Sequence, residues 1–202
     1  MANNYHHGDL RAALVTAGLD LTRTGGPAAL SIREATRQAG VSPNAAYRHF
    51  ADRAALLDAV SAAIQDQMAA LMVAPAARGG TAGSRARARL RAVGIGYIDF
   101  ALAEPGWFAV AFFGAADDGP IDENRLPPPY MALQEALDGL VQAGVLTTRQ
   151  RDGAQWPCWS TVHGFAVLAL QGPLRGMPGD ELRAAAARAV DAIITGVTTN
   201  PG

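Results

Sequence analysis

Three observations predict an all-α protein of about nine helices. Apolar residues recur every three or four positions along most of the 202-residue chain, helix caps and glycine stops punctuate it, and no stretch makes a convincing strand. The helices divide into an N-terminal three-helix domain carrying a helix-turn-helix (residues 1–53) and a C-terminal helical domain (residues 54–202). Half of the residues are hydrophobic, enough for a real core without staples.

The first helix is expected over residues 8–24, where Leu10, Leu14, Ala17 and Leu21 make one apolar stripe, and Gly25-Gly26-Pro27 ends it. Ser31 to Phe50 then reads as helix, turn and helix. Ser31 and Glu34 have the spacing of a capping box, and Ile32, Ala35 and Ala39 repeat at helical spacing. Gly40 supplies a left-handed stop, which a residue without a Cβ adopts cheaply. Ser42 is an N-cap, and Pro43 suits the first helical position, where a missing N–H costs nothing. Ala46 and Phe50 face inward, whereas Asn44 and Arg48 share an outward face with Pro43 and Tyr47 beside it. This is the pattern of a DNA-binding helix-turn-helix, whose second helix enters the major groove N-terminus first.

Asp52 caps a fourth helix with Leu56, Leu57, Val60, Ile64, Met68 and Leu71 at its apolar positions. It runs across the domain boundary as one continuous helix. Residues 75–84 are a loop by composition, followed by a helix over 85–103 that opens with Arg85, Arg87, Arg89 and Arg91. That run is read as a solvated helix end, with a second DNA patch as the alternative. Pro105 starts a short aromatic helix, and residues 114–129 form a long acidic, proline-rich loop of the kind that tends to be mobile or functional. Residues 130–143, 149–171 and 179–197 complete the helices.

Charge separates the two parts. Residues 1–53 carry a formal charge of +2 and the remainder −3, and three of the four histidines lie in the first part. The asymmetry suits a DNA-facing end. All seventeen basic residues are Arg, which with abundant Ala and Gly suggests the codon bias of a GC-rich bacterial genome, a hypothesis without structural force. The single cysteine, Cys158, excludes an internal disulfide and suits a reducing cytoplasm. Asn3, Asn4, His6, His7 and Asp9 interrupt any apolar run, so no signal peptide is expected. Asp99, Glu104 and Pro105 break the most apolar region, so no membrane span is expected either.

GVSPNAAYRHFADRAALLDAV (Gly40 to Val60) resembles the recognition helix and fourth-helix start of the TetR family of bacterial transcriptional regulators. The Tyr5-His6-His7-Gly8 opening and the Trp159-x-x-x-His163-Gly164 segment resemble one subgroup of that family. The resemblance implies that Asn44 pairs with an adenine edge and that Pro43 and Ala45 touch thymine methyls. It implies that Tyr47 and His49 hold phosphates, and Ser31, Ser42 and Arg53 lie at helix N-termini that attract phosphate. Arg33 and Arg48 can reach a base or the backbone. The resemblance also implies a homodimer formed through the last two helices, for which Leu168, Leu170, Val190, Ile193 and Ile194 are apolar candidates, although burial within one chain would select the same residues.

Chemistry of other kinds finds little support. Cys158 and His163 diverge by about 140° on a helix, and no carboxylate stands ready to orient the histidine as a nucleophile's relay requires. An enzyme is not expected. The His6-His7 pair lacks a third ligand at fitting spacing, so no metal or cofactor is expected. Trp159 and His163 share a helix face, either as a packed ring over a satisfied histidine or as part of a cavity wall. With Met68, Met72, Tyr97, Phe100, Trp107, Phe108, Phe112 and Tyr130 they would build an apolar pocket with few polar anchors, and in TetR relatives that region binds an effector. The expectation is a cytoplasmic, homodimeric repressor of a near-palindromic operator, released by a small hydrophobic effector. The rival is a helical small-molecule-binding or scaffolding protein whose helix-turn-helix no longer binds DNA.

Overall fold

The computed structural model describes residues 10–73, 79–114 and 126–199. The Tyr5–Asp9 opening, most of the acidic loop and the start of the 75–84 loop lie outside them. Every regular element among the described residues is helical: α1 (Leu10–Gly25), α2 (Ile32–Ala39), α3 (Pro43–Ala46), α4 (Arg53–Met72), α5 (Ala82–Ala103), α6 (Pro105–Phe113), α7 (Pro128–Gln142), α8 (Thr148–Arg151), α9 (Gln155–Gln171) and α10 (Gly179–Thr199). The all-α expectation holds. The helix expected over 149–171 is divided in two, because Gly153 (φ 73°) lies in the left-handed region after α8. None of the helices of the described residues is long and apolar enough to cross a membrane.

The chain forms two compact units, drawn from Met1–Gln65 with Glu104–Pro120 and from Asp66–Ala103 with Ile121–Gly202. The division between these units falls inside α4, and α6 belongs to the first unit.

In the first unit, Leu14 and Ala17 of α1, Ile32 and Ala35 of α2, Ala46 of α3, Phe50, and Leu56, Leu57, Val60 and Ile64 of α4 are buried. Each fully buried aliphatic side chain of this kind stabilises the fold by about 1.5–3 kcal/mol. A Cβ on Gly18 would lie 2.5 Å from a Val60 methyl, so the glycine permits the close approach of α1 and α4. Gly106 plays the same part for α6, since a Cβ there would lie 2.2 Å from the Arg23 carbonyl oxygen. The Trp107 Nε1–H donates to the Leu19 carbonyl at 2.9 Å, Gln65 donates to the Ala111 carbonyl at 3.0 Å, and Arg23 Nε pairs with Glu104 at 2.8 Å. Backbone fit and directed hydrogen bonds thus hold α6 within the first unit.

The second unit is built around α5, with Leu90, Val93, Tyr97, Ile98 and Phe100 buried. Packed on it are α7 through Leu133, Ala136, Leu137 and Leu140, α9 through Cys158, Val162, Ala166 and Ala169, and α10 through Ala186, Val190 and Ile194. Thr147 and Gln150 form a reciprocal capping box on α8. Arg151 then ties α8 to α7, its Nε 2.7 Å from Asp138 and one Nη 2.6 Å from Gln134.

Candidate functional site

The turn between α2 and α3 is built by its caps. The Ser31 hydroxyl accepts from the Glu34 N–H at 3.1 Å, but the Glu34 carboxylate turns to Arg37 instead of returning to the Ser31 N–H, so only half of the expected capping box forms. The ion pair with Arg37, one helical turn away, holds the Glu34 carboxyl below its ordinary value. Gly40 takes φ 69° and ends α2, and the Val41 N–H closes the turn on the Thr36 carbonyl at 3.0 Å. The Ser42 hydroxyl accepts from the Ala45 N–H at 3.3 Å.

The recognition segment is tighter than an ideal helix. After α3 the chain continues in turns, with His49 N–H donating to Ala46 at 2.9 Å in an i to i+3 pattern. Ala46 and Phe50 are 0% and 3% exposed, and this buried edge fixes which way the other edge points. Ser42, Pro43, Asn44, Tyr47, Arg48 and His49 are exposed, Tyr47 by 54%. Among the described residues, the side chains of Asn44, Tyr47, Arg48 and His49 make no hydrogen bond or ion pair. Ala45 is half-buried, and Arg33 is exposed on α2. Arg53 is engaged differently: its Nε donates to the Leu30 carbonyl at 2.8 Å and an Nη to the Pro27 carbonyl, so the guanidinium pins the start of α4 to the turn before α2. Asp52 caps α4 as expected, accepting from the Ala55 N–H at 2.8 Å.

The arginines opening α5 are largely used locally. Arg85 donates to the Gly80 carbonyl at 2.6 Å, Arg89 pairs with Glu135 at 3.0 Å and Arg91 with Asp191 at 2.7 Å. The last two are surface ion pairs of small individual worth.

In the second unit Tyr97, Tyr130, Trp159 and His163 come together. The Tyr97 hydroxyl is 2.8 Å from His163 Nδ1, the Trp159 and His163 rings stack at 12° with centroids 6.3 Å apart, and Tyr130 meets Trp159 edge-on at 5.7 Å. Burial lowers the His163 pKa and raises that of Tyr97, so the pair is a neutral imidazole beside a neutral phenol. Beside them lies a cavity of about 20 Å³, whose walls include Met72, Val93, Gly94, Tyr97, Leu133, Cys158, Trp159, Val162, Val190 and Ile194. It has room for about one water and is lined by apolar atoms. Burial pushes the Cys158 thiol up to about 11, so at neutral pH it is a protonated small hydrophobe.

Of the residues expected to line a pocket, only Met72, Tyr97 and Trp159 border this cavity, and Tyr130 and His163 back them. Met68 and Phe100 are buried elsewhere in the core. The structure does not bring Trp107, Phe108 and Phe112 to it: they sit on α6 in the first unit, where Phe108 and Phe112 pack on each other at 4.9 Å. Leu90, Val93 and Gly94 recur at helical spacing with the expected Tyr97 on α5, a signal the sequence carries but that a search for aromatic residues misses.

An exposed, capped helix-turn-helix in one unit and an apolar helical core in the other define the class: a helix-turn-helix protein with a second helical unit. Residues 14–60 match the family described as bacterial regulatory proteins, tetR family, and residues 90–193, more than half of the chain, match the tetracyclin repressor-like C-terminal domain. The chain therefore belongs to the TetR family and is a DNA-binding transcriptional regulator. Among solved structures, a protein of unknown function from Rhodococcus sp. RHA1 is 29% identical with a TM-score of 0.70, covering 98% of this chain and all of its own. A TetR transcriptional regulator from Streptomyces coelicolor is 19% identical with a TM-score of 0.68, covering 93% and 97%. A TetR variant from Acinetobacter baumannii in complex with minocycline is 18% identical with a TM-score of 0.64, covering 92% and 94%. No curated protein matches significantly by sequence.

Proposed function

We propose that the protein is a repressor that binds a near-palindromic operator as a homodimer and is released by a small hydrophobic effector. The observation that carries the DNA half of this reading is the outward edge of residues 42–49, polar, exposed and held by a buried inner edge. Asn44 is suited to an adenine edge, Pro43 and Ala45 to thymine methyls, and Arg33 and Arg48 to a base or phosphate. Ser31, Ser42, Tyr47 and His49 complete the phosphate contacts, while Arg53 chiefly positions the first turn of α4.

The dimer seam is assigned to α9 and α10. Leu168 is 44% exposed on α9, whereas Val190 and Ile194 are buried within the chain's own second unit and serve its core first. Leu168→Arg should therefore give a folded monomer with little operator affinity, read by sedimentation and mobility shift. An unchanged dimer mass would put the seam elsewhere.

The effector half rests on the apolar cavity. It is far below the roughly 300–1,000 Å³ of a ligand pocket, so an effector must displace side chains to enter. Met72 lies at its wall and belongs to α4, the helix whose first turns carry the buried Leu56 and Leu57. Because effector and operator affinities are reciprocally linked, a compound that loosens DNA must itself be weakened by DNA. The test is a mobility shift on the protein's own upstream region, then titration of the complex with a hydrophobic library. Failure to bind any promoter fragment would favour the rival binding or scaffolding reading. Binders that leave operator affinity unchanged would end the switch.

A further inference from the structure

Arg11 occupies a position that fold stability alone explains poorly. It is the second residue of α1, a first turn with no acidic residue in α1 itself, where the aligned peptide dipoles make a cation unfavourable. The side chain is exposed, and among the described residues it makes no ion pair or hydrogen bond. Its guanidinium carbon instead lies 5.2 Å from the centroid of Phe50, the residue that follows His49 at the end of the recognition segment. A cation–π contact with a ring restrains the guanidinium while leaving N–H groups open, the state in which arginine grips a phosphate. Phe50 is itself 3% exposed, so the arginine lies over a ring that is packed into the core of the first unit.

We propose that Arg11 is a further DNA contact, donating to a backbone phosphate beside the one held by the Tyr47–His49 edge. A phosphate would turn the unfavourable charge at this helix end into a favourable arrangement. Resting as it does on the DNA-binding reading, the proposal adds a contact from α1 to those of α2 and α3. The contact positions without reading sequence, because a phosphate carries no base identity.

The experiment measures operator affinity from about 50 to 200 mM salt for the wild type, Arg11→Met and Arg11→Lys. The methionine keeps a polarizable side chain over Phe50 without charge, and the lysine keeps the charge without the planar guanidinium. The expected result for Arg11→Met is a salt slope less steep by about 0.9 per subunit and an affinity about tenfold lower at low salt, alike on operator and non-operator duplex. Arg11→Lys should retain the wild-type slope. If Arg11→Met lowers the melting temperature but leaves the slope unchanged, Arg11 only covers Phe50 and the proposal is wrong. If the wild type itself binds no duplex, the DNA-binding reading fails first.

Discussion

Asn44, Tyr47, Arg48 and His49 stand in solvent with their polar atoms uncommitted among the described residues, whereas in the second unit the Tyr97 hydroxyl and the His163 ring meet each other at 2.8 Å. A buried polar group without a partner costs about 1–3 kcal/mol, so the second unit satisfies its polar atoms internally. An exposed group loses little by waiting, because water solvates it until DNA arrives. The recognition edge is therefore a finished surface, while the cavity beside Tyr97 is so small that the core must rearrange before it holds anything larger than water. Binding to the first should need little reorganisation, and binding to the second should be coupled to movement.

The sharpest way to break this contrast is to open the cavity. Ile194→Ala removes buried wall and should destabilise the fold by about 2–5 kcal/mol in urea titrations. Benzene or indole should restore part of the loss in the variant and do little for the wild type. Equal stabilisation of both would show that the wild-type cavity already opens readily. Gly94 faces the cavity, whereas a Cβ on Gly96 would meet the Leu71 and Met72 backbone at 3.0–3.1 Å, so enlarging Gly96 would strain α4 against α5.

A smaller effect is expected at the recognition edge. Asn44→Ala should cost about 1–3 kcal/mol of operator affinity, concentrated at one base pair, without changing the melting temperature. A uniform loss across all sequences would reassign Asn44 to the phosphate backbone.

The smallest effect concerns pH. Burial lowers the folded-state pKa of His163 from 6.5, so across the interval between the folded and unfolded values the unfolded chain binds more protons. Stability should be fully present above about 6.5, decline as the pH falls below it, and level off once the folded-state histidine also protonates. His163→Gln should remove that decline, and a decline that survives the substitution would point to another titrating group.

How much of this was legible varied with the range of the physics. The caps at Ser42 and Asp52, the Gly40 stop and the inward Ala46 and Phe50 are local, set by residues within one or two turns, and their spacing in the sequence was enough to place them. Glu34 was the exception. Its capping role and its pairing with Arg37 compete over the same few ångströms, and the pattern of letters does not say which the carboxylate takes. The aromatic residues show the other limit. Trp107, Phe108 and Phe112 look in sequence like pocket wall, yet Gly106 allows α6 to lie against the Arg23 carbonyl, and that long-range fit places them in the first unit.

By itself, then, the sequence determined the all-α class, the helix-turn-helix and the face its second helix presents, because each depends on helical periodicity and on hydrogen bonds to near neighbours. The tertiary structure alone decided that Arg53 pins the chain at Leu30 and Pro27, that Arg11 lies on Phe50, and that the core of α5, α7, α9 and α10 closes to about 20 Å³. Those features depend on distances between residues far apart in the chain, which only the packed side chains set.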